Sequence, residues 1–98
     1  MDDSIIEKLK ILKFEASKYL NFEKLVLYGS YSNGTFNQNS DIDVAFLTNE
    51  ITDDFWKISA KLFELVDKID NRIEPLILNL NNDKSGFAHK IQKSGIVI

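Results

Sequence analysis

Gly29-Ser30-Tyr31-Ser32-Asn33-Gly34-Thr35-Phe36-Asn37-Gln38-Asn39-Ser40-Asp41-Ile42-Asp43-Val44 lies between two apolar runs, Leu25-Val26-Leu27-Tyr28 and Val44-Ala45-Phe46-Leu47. A glycine directly after a strand lets the backbone turn sharply and approach a ligand closely. Ser30 adds a hydroxyl that can cap a short helix over Ser30 to Gly34, whose first N–H groups would face an anion. Asp41 and Asp43 stand two apart at the start of a strand, so their side chains leave the same face. Two carboxylates on one face repel unless a cation lies between them, and such oxygen ligands suit Mg²⁺. A phosphate grip beside a divalent-metal grip is what nucleotidyl transfer requires.

Taken singly, these pieces have plainer readings. Gly-Ser after a strand is usually a turn, Asp-x-Asp is common by chance, and Asn37, Asn39 and Ser40 are ordinary turn formers. Two neighbouring motifs fail on their residues. Gly29 and Gly34 have P-loop spacing, but Thr35 and Phe36 stand where that loop needs Lys and Ser/Thr. An EF-hand would need Asp or Asn where Ala45 stands.

Working outward, Ser4 to Leu20 reads as an amphipathic helix with Ile5, Leu9, Leu12, Ala16 and Tyr19/Leu20 on one stripe, capped by Asp2, Asp3 or Ser4. Leu25 to Tyr28 is continuously apolar, as a central strand is, and Asp41 to Leu47 is a second strand. Thr52 is the expected N-cap of a helix running to about Asp70, with Phe55, Ile58, Leu62, Leu65, Val66 and Ile69 as its apolar stripe. Trp56 flanks that stripe as a partly buried core or interface residue. Arg72 to Leu80 is a third strand, with Glu74, Leu76 and Leu78 on one face. Pro75 lacks an N–H, which places this strand at an edge or makes it irregular there. Glu74 among apolar neighbours is either a strand-end charge paired with Arg72 or a lysine, or a third site carboxylate. Asp83 or Ser85 can cap a short helix, Gly86 to Lys93, with Phe87, Ala88 and Ile91 inward and Gly95 as its C-cap. His89 is assigned no role. Ile96-Val97-Ile98 adds a short strand or packs on a partner. This alternation predicts an α/β fold, a small mixed sheet with helices packed on it.

The 98 residues suffice for one domain, 1–98, with a modest core: 44% are hydrophobic and seven are Phe. A domain this small often leans on a partner or a second copy, so a homo- or hetero-oligomer stays open. Without cysteine, neither disulfides nor a thiolate metal site can form. The net charge of −3, pI near 5.0, single arginine and scattered lysines argue against nucleic acid as the main partner. The acidic start and the lack of a long apolar run predict no signal peptide, no membrane span and a cytoplasmic location.

Together, Gly29-Ser30, the spacer Tyr31 to Ser40 and Asp41-Ile42-Asp43 resemble the pattern of the nucleotidyltransferase family related to DNA polymerase β, in particular its smallest members, the MNT (minimal nucleotidyltransferase) proteins. The resemblance covers nearly the whole chain. It departs at Asn33, where members often carry Arg or Lys, and at Glu74, where the third carboxylate is usually Asp. It implies the polymerase β-like fold and transfer of AMP from ATP, with pyrophosphate leaving. Asp41 and Asp43 would hold two Mg²⁺ ions. Glu74 would ligate the acceptor-side ion and help take the proton, and Gly29 and Ser30 would hold the β- and γ-phosphates. Stand-alone MNT proteins are commonly antitoxins that add AMP to a tyrosine of a HEPN-domain ribonuclease toxin, which makes such a toxin the expected partner. Two other classes stay open: a non-catalytic module that neutralises a partner by contact, and nucleotidyl transfer to a small molecule.

Overall fold

The computed structural model describes residues 3–29, 31, 34 and 40–98. Helix α1 (Asp3–Ala16) leads into strand β1 (Lys24–Tyr28), then β2 (Ile42–Thr48), helix α2 (Phe55–Ile69), β3 (Ile73–Asn79), a 3₁₀ turn (Leu80–Asn82), helix α3 (Phe87–Ser94) and β4 (Ile96–Val97). The strands form one mixed sheet in the order β3-β2-β1-β4. β1 runs antiparallel to β2 and β4, and β2 runs parallel to β3. The expected α/β class and the central place of β1 both hold. β3 is an edge strand, one of the two arrangements Pro75 allows.

Period-two alternation divides the strands between two cores. Leu25, Leu27, Ile42, Val44, Phe46 and Ile73 pack with the stripes of α1 (Ile5, Leu9, Leu12, Ala16) and α2 (Ile58, Leu62, Val66). Val26, Ala45 and Leu47 face the other way, against Ala88 and Ile91 of α3. Among the described residues an eight-residue helix covers that second face, and Asp43 and Glu74 lie on it.

Several boundaries differ from the sequence reading. α1 ends at Ala16 rather than Leu20: the Ser17 hydroxyl donates to the Phe14 carbonyl (2.6 Å), and the N–H groups of Tyr19 and Leu20 both turn back to Ala16. β2 begins at Ile42, leaving Asp41 just outside it. Thr52 is not a side-chain cap for α2. Its hydroxyl bonds the Asp54 carboxylate instead, and only its carbonyl meets the helix, accepting from Phe55 N–H at 3.1 Å. β3 stops at Asn79, whose side chain accepts from Asn81 N–H and opens the 3₁₀ turn. Trp56 is not part of the core: it is 80% exposed, because it points away from the stripe that α2 buries. The expected short helix from Ser30 to Gly34 lies mostly outside the described residues.

α3 is capped from a distance. Asp83 accepts from the N–H groups of Ala88 and His89, both at 3.0 Å, and its Oδ2 lies 2.7 Å from His89 Nδ1. His89 therefore does have a role, in tying the start of this helix. Gly95 follows α3 in extended backbone, donating to the Ile91 carbonyl at 2.7 Å. A Cβ at Gly95 would lie 2.6 Å from Val26 Cγ1 and 2.7 Å from the Leu27 carbonyl oxygen. Only glycine lets the chain pass this close to β1 before β4 pairs with it.

Candidate functional site

The register of the sheet builds one lateral row. Asp43 pairs with Tyr28 of β1 on one side and with Glu74 of β3 on the other. Residues paired across a sheet share a face, and neighbouring strands lie about 4.8 Å apart. The row Tyr28–Asp43–Glu74 thus lies on the α3 side, one pleat beyond Val26, Ala45 and Leu76. Tyr28 and Asp43 are half-buried, while Asp41 and Glu74 are exposed.

Gly29 closes the row at the end of β1. Its φ is +73°, in the left-handed region that a residue with a Cβ enters only with strain. A Cβ there would stand 2.5 Å from Asp43 Oδ2. Sequence reading finds Gly29 for its turn, and the fold adds that the missing side chain leaves room for the Asp43 carboxylate. Ser30 and Asn33 lie outside the described residues.

The electrostatics of the row are strongly acidic. Burial, and then the charge of Asp41, push the Asp43 carboxyl above its usual range. Burial together with Asp43 and Glu74 pushes the Tyr28 hydroxyl up to about 12. Tyr28 therefore remains a neutral hydroxyl beside two carboxylates, with its ring edge-on to Phe87 of α3 at 5.7 Å between centroids. Among the described residues, no three Asp, Glu or His side chains close on a common point at metal-ligand distance. Asp41 acts on Asp43 through its charge, and Glu74 is paired with Asp43 one strand over.

Arg72 does not pair with Glu74 in the manner the sequence allowed. Its guanidinium forks onto Asp70, Nε to Oδ1 at 3.0 Å and Nη2 to Oδ2 at 2.6 Å, and its Nη1 donates to the Tyr31 hydroxyl at 3.1 Å. Sequence reading missed both Tyr28 and this fork. Tyr28 is the last residue of an apolar run and shows its neighbours only through the pairing register. A 330 Å³ cleft lined by Tyr19, Asn21, Glu50, Thr52, Asp54 and Phe55, among others, lies at the far end of β2 and shares no residue with the carboxylate row.

Residues 10–98 match the family described as polymerase beta, nucleotidyltransferase. The chain belongs to that family. Protein adenylyltransferase MntA of Shewanella oneidensis is 37% identical over 60 residues, a match spanning 59% of this chain and 43% of that protein's length. A relative from Methanocaldococcus jannaschii, provisionally named a protein adenylyltransferase, is 28% identical over 100 residues, or 96% of this chain and 98% of its own. A crystal structure described as a toxin-antitoxin with AMP-PNP superimposes with a TM-score of 0.58 at 25% identity, covering 97% of this chain and 69% of that one. A second structure, from Sulfolobus solfataricus, shares the fold with a TM-score of 0.56 at 19% identity, over 99% and 86% of the two chains. The helices and mixed sheet described above are this family's fold.

Proposed function

We propose that residues 1–98 act as one nucleotidyltransferase domain that moves AMP from ATP to a tyrosine of a partner toxin, with a HEPN-domain ribonuclease as the expected partner. The observation that carries this reading is the row itself: Asp43 held between Tyr28 and Glu74, with Gly29 stripped of a side chain where the Asp43 carboxylate sits. The names of the relatives, protein adenylyltransferase and toxin-antitoxin, support the substrate and the partner class.

The donor set suits a hard divalent cation, since it consists of carboxylate oxygens. Asp43 ionises against burial and against Asp41, and a cation between the two removes that cost. Asp41 and Asp43 would hold Mg²⁺, with Glu74 beside them. When bound, Mg²⁺ supplies charge neutralisation for the triphosphate and a lower pKa for the attacking hydroxyl. In the transfer, the acceptor oxygen bonds the α-phosphorus, the α-phosphorus bond to the bridging oxygen breaks, and pyrophosphate leaves with that electron pair. Glu74, exposed on the edge strand, would accept the acceptor's proton. The Gly29 turn would hold the phosphates through backbone N–H groups.

The test is mass spectrometry of a co-expressed HEPN toxin after incubation with ATP and Mg²⁺. Adenylate on a toxin tyrosine, lost in Glu74→Gln while ATP still binds, supports the assignment. A toxin that is neutralised in a complex yet never modified would establish the non-catalytic module instead. No helix among the described residues is long and apolar enough to cross a membrane.

A further inference from the structure

Three segments carry the candidate site: the turn after β1, the start of β2, and β3. One residue leads directly into the third and hydrogen-bonds to the other two. Arg72 precedes β3 by one position and Glu74 by two. Its carbonyl accepts from Ile42 N–H at 2.8 Å, between Asp41 and Asp43. Its Nη1 donates to the hydroxyl of Tyr31, two residues beyond Gly29, at 3.1 Å. Tyr31 is itself only 4% exposed and packs in the larger core, so its hydroxyl is a fixed point rather than a swinging one.

The guanidinium is fixed as well. Asp70 takes two of its N–H groups and also accepts the Arg72 backbone N–H at 3.0 Å. Lys8 of α1 donates to the same carboxylate at 3.0 Å. The Asp70 side chain is only 8% exposed. A fork engaged on both prongs has its plane set, and with it the directions of the three N–H groups that remain. One of them, on Nη1, meets the Tyr31 hydroxyl.

We propose that Arg72, clamped by Asp70, is a positioning residue for the nucleotide site, which through the Tyr31 hydroxyl fixes the Gly29 turn against the Asp43–Glu74 row. The proposal rests on reading that row as the nucleotidyl-transfer site. Without the bridge the strands still pair and the carboxylates stay on their face. What is lost is the spacing between the segment that would hold the phosphates and the carboxylates that would hold the metal. Lysine cannot replace arginine here, because a single ammonium cannot fork onto Asp70 and reach Tyr31 along a fixed plane.

The experiment measures the Kd of Mg²⁺-ATP by calorimetry for wild type, Tyr31→Phe, Arg72→Lys and the double variant, at a temperature where circular dichroism shows each to be folded. Tyr31→Phe removes one oxygen and keeps the buried ring, so it remains folded and informative even if Arg72→Lys does not. Each single change should weaken binding about tenfold. The double change should be no worse than the weaker single, because both break the same bridge. A merely structural tie would lower the melting temperature and leave Kd untouched. If wild type binds Mg²⁺-ATP and Tyr31→Phe binds it within twofold as well, or if the two losses multiply, the positioning role is overturned while the site reading stands. A wild type that binds no Mg²⁺-ATP overturns the site reading and the positioning role together.

Discussion

Gly29 and Asp43 are mutually dependent at the scale of single side chains. The left-handed turn at Gly29 excludes a Cβ, and the space so left is where the Asp43 carboxylate sits. Gly29→Ala should therefore fail twice. The strained backbone costs about 1–2 kcal/mol, which lowers the melting temperature of a domain this size by roughly 5–15 °C, and the displaced carboxylate should weaken Mg²⁺-ATP binding in calorimetry. Asp43→Asn should do the opposite to stability. The folded state holds the Asp43 proton more tightly than the unfolded chain does, so the group's favourable contribution is full at low pH and lost as pH rises through its raised pKa. In metal-free buffer the variant should melt above wild type at pH 7, with the gain vanishing near about pH 3, while metal-dependent nucleotide binding is lost. That Asp43 stands at the start of β2 was legible from the sequence, whereas Asp41, expected inside the strand, lies just outside it. That Tyr28 stands beside Asp43 was not legible, because period two places a residue on a face only relative to its own strand, and the partner strand's register is set by the whole sheet.

Elements show a similar division between what is local and what is not. The stripes of α1 and α2 follow from period and the strands β1 and β2 from their apolar runs, and of the two readings Pro75 allowed, an edge or an irregular strand, β3 takes the edge. The partners of Arg72 and Thr52 did not follow, although Asp83, one of the two caps expected for α3, does cap it. Arg72 found Asp70, two positions back, and Tyr31, far along the chain, because the turn into β3 folds the arginine backward. Asp70 carries a pH signature. Its hydrogen bonds from Arg72, ahead of those from Lys8, hold its carboxyl far below the usual range, so its stabilisation is present above the ordinary carboxylate pKa and drains away as pH falls below about 4. Acid melts should show this loss in wild type. Asp70→Asn should flatten it, at a cost of about 1.5–3 kcal/mol at pH 7 for the lost charge-assisted bonds. In α3, Asp83→Ala removes the acceptor for two helix N–H groups. Amide exchange at Ala88 and His89 should quicken, while exchange within β2 is unchanged.

Across the whole molecule, exposure and burial make opposite demands on two large rings. Phe46 is fully buried in the larger core and meets Phe22 edge-on, whereas Trp56 stands 80% exposed beside an apolar groove of 230 Å³ that includes Phe63, Pro75 and Leu76 at the open edge of β3. Denaturant titrations should find Phe46→Ala destabilising by about 3–5 kcal/mol and Trp56→Ser within about 0.5 kcal/mol of wild type. The strand order has a further consequence, which concerns timing during synthesis. β1 finds one neighbour soon after it emerges, but its other neighbour is β4, where Val97 pairs with Val26. At about 5–20 residues per second, the intervening chain takes roughly 4–14 s to be made. For that interval the nascent sheet exposes an unpaired apolar edge to every neighbouring chain. Slowing the ribosome between α3 and β4 would lengthen that exposure without altering a single contact of the finished protein.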